Sequence, residues 1–370
     1  MHQVGVTAKR GLKHQRQAGG KIESEQMKIA LVAPDKFRGT ASASEVARAM
    51  SEVLEGAGYR AKSFPMSDGG EGLLDTFEGV ERSSLVTAAN GKKITAQYKM
   101  KGGTAIIEMA RVAGLALVGG AEGNDPMAAT TKGVGELIKA AVFAGAKRVI
   151  VGCGGSATTD GGLGAVDALE PVIRLKGVEL IAAADVDTLF RDAAREFSTQ
   201  KGASSAQVAL LTLRLEALEQ QYRLRFGTDI SLVRGGGAAG GLAGGLAAIG
   251  AKIVSGFEIA AEESGIYEEF PRASIVVTGE GFLDYQSFRG KVVGRIVEAA
   301  IERSIPYLVI VGDFDQEALA MCPDPSLVFS LVHETGAERA FNHTLDSVKE
   351  TLASALRSRG TRRLQQPDGN

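Results

Sequence analysis

The residues able to do chemistry in this 370-residue chain gather where apolar runs stop. Ile29 to Ala33 ends at Pro34-Asp35, and the stretch from Arg60 to Pro65 runs into Ser67-Asp68. Val149 to Val151 opens into Gly154-Gly155-Ser156, Val178 to Ala184 ends at Asp185, Ile275 to Thr278 at Glu280, and Leu308 to Val311 at Asp313. In open α/β sheets ligands bind beyond the carboxyl ends of the strands, so these positions are candidates for one shared cleft. A single strand-end Asp can equally cap the next helix; six polar strand ends favour the cleft. Glycine adds to the pattern. The 48 glycines are close to twice the ~7% share of an average protein. They cluster at Asp68-Gly69-Gly70-Glu71-Gly72, Gly152 to Gly155, Gly161 to Gly164, Gly235 to Gly245 and Gly279 to Gly281. Tight turns and close packing explain any one glycine. Clusters beside Asp, Glu, Ser or Thr predict backbone brought close to an anion, with Gly69, Gly70, Gly154, Gly155, Gly237, Gly240 and Gly279 as candidates.

The segment from Gly152 to Gly162 is the richest of these. A glycine-rich turn after a buried strand presents consecutive N–H groups to a phosphate or carboxylate. Ser156 and Thr158 add hydroxyls, and Asp160 could hold a metal or accept a proton. Lys201 and Lys291 are the candidate cations for phosphate or carboxylate charge. Asp185 is the candidate for orienting or deprotonating a substrate hydroxyl, its plainer role being the cap of a helix beginning near Val186. Asp68, Glu71, Asp160, Glu280 and Asp284 offer oxygen ligands to a metal, with Asp68, Glu280 and Asp284 preferred. Other signatures are missing. Arg289-Gly290-Lys291 is followed by Val292, so there is no Walker A motif, and Gly312-Asp313-Phe314-Asp315 lacks the other parts of a protein kinase. Two dinucleotide fingerprints, at Gly152 to Ala157 and Gly235 to Gly240, are weak in a chain this rich in glycine. Four scattered histidines argue against a histidine metal site or triad. Carboxylates, a few cations and backbone amides suit Mg²⁺-assisted phosphoryl transfer, where the protein positions groups and neutralises charge.

The elements that must carry these residues alternate. Strands are predicted at 29–33, 60–65, 105–109, 148–151, 178–184, 273–278, 307–311 and 327–331. Helices are predicted from the capping box Ser42-Ala-Ser-Glu45, over 135–144, 204–225 and 292–303. Asn90-Gly91 between two β-rich stretches, 84–88 and 93–100, predicts a hairpin. The alternation predicts an α/β protein with a largely parallel sheet, and the hairpin a second sheet of mixed type. The tail from Arg357 is expected to fray.

Composition excludes several classes. The formal net charge is −2, which gives no global attraction to nucleic acid or anionic membrane. No apolar run approaches the ~20 residues of a spanning helix. Two cysteines, Cys153 and Cys322, argue against a disulfide framework and suit a reducing, cytoplasmic setting. Residues 1–26 are basic and unpatterned, without the apolar core of a signal peptide, and are expected to be a disordered extension.

The motifs also resemble the bacterial glycerate kinase family, in order along the chain from Met27 to about residue 335. They include Asp35-Lys-Phe-Arg38-Gly, Ser67-Asp-Gly-Gly-Glu-Gly72, Ile107-Glu-Met-Ala110 and Gly154-Gly-Ser-Ala-Thr-Thr-Asp160-Gly-Gly162. Asp185-Val186, Gln200-Lys-Gly-Ala203, Gly237-Ala-Ala-Gly-Gly241 and Thr278-Gly-Glu280-Gly-Phe-Leu-Asp284-Tyr-Gln286-Ser-Phe-Arg-Gly-Lys291 follow. The resemblance implies ATP-dependent phosphorylation of D-glycerate with Mg²⁺, the 2-hydroxyl being favoured over the 3-hydroxyl. It implies a Rossmann-like domain from residues 27–80 and 265–360, a mixed α/β domain of 81–264 inserted into it, and a cleft between. Asp35, Arg38, Ser67, Asp68, Glu71 and Gln286 join the binding residues on this basis. A monomer or homodimer without nucleic-acid or membrane partners is expected. Three departures stand out: Arg38 replaces the usual Lys, the stretch from Leu169 to Leu180 is short, and Asp187-Thr-Leu-Phe-Arg191 replaces the usual Asn-Pro-Leu run. A nicotinamide-dependent dehydrogenase, resting on the two fingerprints, and a non-catalytic sugar-acid sensor are the competing readings.

Overall fold

A computed structural model describes residues 27–365 apart from Arg38 and Arg289. The expected extension 1–26 and the candidate Arg38 therefore lie outside the described residues.

Among the described residues eleven strands form two sheets. The first contains β1 (Lys28–Pro34) and β2 (Tyr59–Ser63). The second holds β3 (Val80–Thr87), β4 (Lys93–Lys101), β5 (Thr104–Glu108), β6 (Arg148–Gly152), β7 (Glu179–Ala183) and β8 (Lys252–Val254). The chain then returns to the first sheet with β9 (Ala273–Leu283), β10 (Tyr307–Phe314) and β11 (Val328–Ser330). The first sheet runs β11-β10-β9-β1-β2, all parallel. Strand order therefore reverses between β1 and β9, the point where open α/β sheets leave a crevice. The second sheet runs β3 to β8 in sequence order; β3, β4 and β5 pair antiparallel, and β5 to β8 parallel.

Burial explains why these runs became strands. Along β1, Ala30 and Val32 join a core with Val46, Met50, Leu54, Val348 and Leu352 on one face, while Leu31 and Ala33 join Phe257, Val293, Ile296 and Val297 on the other. Strands covered on both faces need continuous apolar runs, as seen. The helix Ala43–Gly56 begins at the expected capping box, with Ser42 and Glu45 exchanging bonds. Its fully buried Val46, Met50 and Leu54 each contribute about 1.5–3 kcal/mol by leaving water. Leu73, Leu74 and Phe77, just after β2, pack with Ile259 against Ile106, Ile150 and Ile181 of the second sheet. That layer presses the two sheets together and brings the carboxyl ends of β1, β2 and β9 near those of β6 and β7.

Several expectations need correction. From Arg357 the tail continues the helix Thr344–Gln365, and its last residues, 366–370, lie outside the described residues. Glu280 and Asp313 do not follow their strands but lie within β9 and β10, which pair as far as Leu283 and Phe314. The run Gly235 to Gly245 leads into the helix Ala238–Ala248, which is kinked where Ala239, Gly240 and Gly241 take left-handed backbone. No helix starts near Val186; the next helical turn is Phe190–Asp192. β8 had no readable signal, being three residues long.

Candidate active site

Glycine makes the seam between the sheets. A Cβ on Gly154 would collide with the Gly70 backbone, one on Gly256 with Asp68, and one on Gly69 (φ +83°) would stand 3.0 Å from the Gly256 Cα. The loop after β2 thus lies directly on the loop after β6 and on the start of the helix Gly256–Ser264. The Gly240 backbone presses on Thr158, Gly237 on Leu189 and Thr188, and Gly279 on Ile310. These three glycines serve close packing, and none of them lines the groove described next.

Along the seam three cavities adjoin. The largest, about 490 Å³, is walled by Leu115, Ala116, Gly155, Phe197, Lys201 and Ala239 among others. A second, about 330 Å³, is lined by Asp35, Lys36, Ser42 and Glu71. A third, about 300 Å³, holds Asp185, Asp187, Arg234 and Arg295. Glu71 borders the first and second, and Val186 the first and third, so they form one groove.

On the first-sheet wall stand carboxylates with few donors. Asp35, at the end of β1, accepts one bond, from the Lys36 amide at 2.7 Å. Burial, and then repulsion from Asp68, push its pKa up to about 6. Glu280 on β9 is pushed up to about 8, first by burial and partly by Asp35. Its Oε1 is buried without any hydrogen-bond partner. Asp68 accepts the Gly70 amide at 3.1 Å and lies 3.9 Å from the Lys36 ammonium. Ser67 is buried and accepts the Gly69 amide. Lys36 also donates to the Glu71 carbonyl at 2.6 Å. Asp284 turns onto its own loop, accepting the Gln286 and Ser287 amides, and faces Lys291 at 3.8 Å. Gln286 itself is exposed.

The second-sheet wall is saturated by comparison. Asp160 accepts the Thr131 amide and hydroxyl, both at 2.8 Å, and the Gly162 and Gly164 amides. It ties together the starts of the helices Lys132–Phe143 and Leu163–Leu169 and lines none of the three cavities. Thr158 is fully buried. Lys201 is buried at the rim of the large chamber and donates to the Ser156 hydroxyl and the Thr158 carbonyl, both at 2.8 Å. Desolvation brings its pKa down to about 7. Asp185 accepts the Gly256 amide at 3.0 Å and the Phe257 amide at 3.2 Å. It therefore holds the first amides of the helix Gly256–Ser264, 71 residues away in sequence, beside that helix's own N-cap Ser255, rather than capping its own successor. Burial pushes it up to about 6.

The groove thus gathers Asp35, Glu71, Gly154, Gly155, Ser156, Asp185 and Lys201; Asp160, Thr158 and Gly279 lie outside its lining, and so do Ser67, Asp68, Gly69, Gly70, Gly237, Gly240, Glu280, Asp284, Gln286 and Lys291. Lys36, Arg234 and Arg295 were missed by the sequence reading. Lys36 directly follows a strand-end Asp, a legible signal; the arginines sit in segments with no readable pattern. Among the described residues no three His, Cys, Asp or Glu side chains assemble into a metal cage, and no helix is long and apolar enough to cross a membrane.

Comparison with known proteins identifies the family. The sequence profile described as the glycerate kinase family matches residues 30–172 and 170–359. The chain is 34% identical to glycerate 2-kinase of Escherichia coli strain K12, over 90% of this chain and 100% of that one. It is 33% identical to glycerate kinase of Bacillus subtilis strain 168, over 88% and 96%. A crystal structure from Salmonella typhimurium LT2, assigned as a glycerate kinase 2, superposes with a TM-score of 0.76 at 28% identity, covering 92% of this chain and 99% of that one. Matching motifs in matching order on one α/β architecture lead to a single conclusion: the chain belongs to the glycerate kinase family, phosphotransferases that use ATP and an alcohol acceptor.

Proposed function

We propose that this protein phosphorylates D-glycerate on its 2-hydroxyl with MgATP, in the groove between the two sheets. The observation that carries the reading is the continuity of the three cavities through Glu71 and Val186, which puts Lys201 and Asp185 on one path. The 2-hydroxyl is supported by the name of the E. coli relative, glycerate 2-kinase. Residues 27–80 with 265–360 act as one domain and 81–264 as the other. The protein works in the cytoplasm as a monomer or homodimer, without nucleic acid; its net charge of −2 supports the last point.

In this reading Asp185 orients or accepts the proton of the substrate hydroxyl. Two helix amides hold its carboxylate still, and a pKa of about 6 makes it a base poised near neutral pH. Lys201, fixed by Ser156 and the Thr158 carbonyl, supplies positive charge beside the phosphoryl group in transit. Lys291 and the glycine amides at Gly154 and Gly155 add donors for phosphate oxygens.

The donor set for Mg²⁺ is tested by Glu280. A buried carboxylate oxygen without a hydrogen bond calls for a cation. Mg²⁺ takes one or two carboxylates plus phosphates and water rather than a full protein cage, which suits Glu280 beside Asp35, whose charge acts on it, with Asp68 acting in turn on Asp35. Asp284, occupied by its own loop and Lys291, fits less well. Bound there, Mg²⁺ would neutralise phosphate charge.

Phosphorus NMR of the products from ATP and D-glycerate tests the reading. A 2-phosphoglycerate resonance is expected; 3-phosphoglycerate would correct the regiochemistry, and full turnover in excess chelator would remove the metal.

A further inference from the structure

The third cavity carries more than the sequence suggested. Its walls come from both parts of the groove. Asp185, Asp187 and Arg234 stand on the second-sheet side, and Arg295 projects from the helix Val292–Glu302 on the first-sheet side. Among the described residues Arg234 makes no hydrogen bond or ion pair. Arg295 has one ion-pair partner, Glu298 at 3.9 Å on its own helix. Both guanidinium groups border the cavity and neither is paired to a carboxylate that lines it, so each keeps donors for an anion.

The other groove cations are already committed. Lys201 is spent on Ser156 and the Thr158 carbonyl, and Lys36 on the Glu71 carbonyl and Asp68. The 490 Å³ chamber, with Leu115, Ala116 and Phe197 in its wall, has the apolar surface that a nucleoside needs. The small cavity, by contrast, pairs two cations with two carboxylates. A 2,3-dihydroxy acid matches that arrangement, with one carboxylate and two adjacent hydroxyl donors.

We propose that the cavity between Asp185, Asp187, Arg234 and Arg295 is the glycerate subsite, where the two arginines take the substrate carboxylate and the two aspartates face its hydroxyls. The assignment rests on reading the groove as the phosphoryl-transfer site. Val186, common to this cavity and the large chamber, then marks where acceptor and donor meet. The arginines become specificity residues: they distinguish a hydroxy acid from a neutral polyol of the same shape.

The test uses the full-length enzyme and the variants Arg234→Gln, Arg295→Gln and Arg295→Lys. KM for D-glycerate and for ATP is measured, with the neutral amide glyceramide as a second acceptor. Each Gln variant is expected to raise the glycerate KM about 10–100-fold, the size of a lost charge-assisted contact. KM for ATP should stay within about twofold, and the preference for glycerate over glyceramide should fall by the same factor as the glycerate loss. Arg295→Lys should recover part of the loss. An unchanged glycerate KM in both Gln variants overturns the assignment. So does a rise confined to the ATP KM, which would make the pair a phosphate site, or an equal loss on both acceptors. Product analysis on the unmodified enzyme judges the regiochemistry separately, so a 3-phosphate product would defeat that reading while leaving the KM comparison intact.

Discussion

The two sheets that flank the groove treat their acids in opposite ways. On the second-sheet side, Asp160 accepts two bonds at 2.8 Å and two more at 3.1 and 3.3 Å, and Asp185 accepts two helix amides. On the first-sheet side, Asp35 accepts one and Glu280 keeps a buried oxygen with none. A buried acid held by several amides costs nothing further to keep rigid, whereas one left short of donors stores a penalty that only a cation or a proton relieves. The contrast teaches which wall is preorganised and which awaits a ligand: the second presents fixed groups, the first an unmet demand for positive charge.

Changing one acid on each wall tests the contrast. The largest effect is expected at Asp185. Asp185→Asn keeps one acceptor for the helix Gly256–Ser264 but removes the charge, so turnover should fall at least ~100-fold while stability drops only by a cap's worth, about 0.5–2 kcal/mol. Steady-state kinetics beside a thermal melt decide; a variant within threefold of the parent turnover leaves Asp185 a cap and nothing more. Asp160→Asn comes next and should act on stability. Losing charge under four donors is expected to cost about 2–4 kcal/mol, read by urea unfolding. Turnover of the folded fraction should be unaltered, and a hundredfold loss there would restore Asp160 to the catalytic group.

On the opposite side, Glu280→Gln should leave stability equal or higher, since burial already holds this carboxyl up at about 8 and its Oε1 has no hydrogen-bond partner to lose. The Mg²⁺ concentration needed for half-maximal rate should rise about tenfold, a 1.4 kcal/mol effect. An unaltered Mg²⁺ requirement would erase the difference between the walls. The smallest expected effect is a pH slope. Burial brings Lys201 down to about 7, well under the ~10.4 of a free lysine. Between those values the unfolded chain binds more protons than the folded one, so stability should rise with pH across the window. Lys201→Met should flatten that rise in unfolding experiments at pH 7, 8 and 9; an equal slope in both proteins would mean that Lys201 stays charged throughout.

Much of this was legible in the residues. The apolar runs at 29–33, 148–151 and 307–311, the capping box at Ser42 and the turn at Asn90-Gly91 all became the elements they predict. These signals are local: period, caps and turn chemistry act within a few residues, so sequence alone determines them. Motif order along the chain likewise specified the family. What lay beyond reach depended on contacts between distant segments. The Gly69-Gly70 and Gly152 to Gly155 runs look alike as anion loops, yet Gly154 is a glycine because Gly70 lies against it from the other sheet. Asp160 and Asp185 both follow buried strands, yet one is sealed among Thr131 and two glycine amides while the other faces a cavity. Arg234 and Arg295 carry no pattern at all and border one cavity only because the packed sheets bring their walls together. Sequence by itself determined the elements and the kinship. The tertiary structure decided which polar groups find partners, because a buried charge is satisfied or stranded by whatever the fold sets beside it.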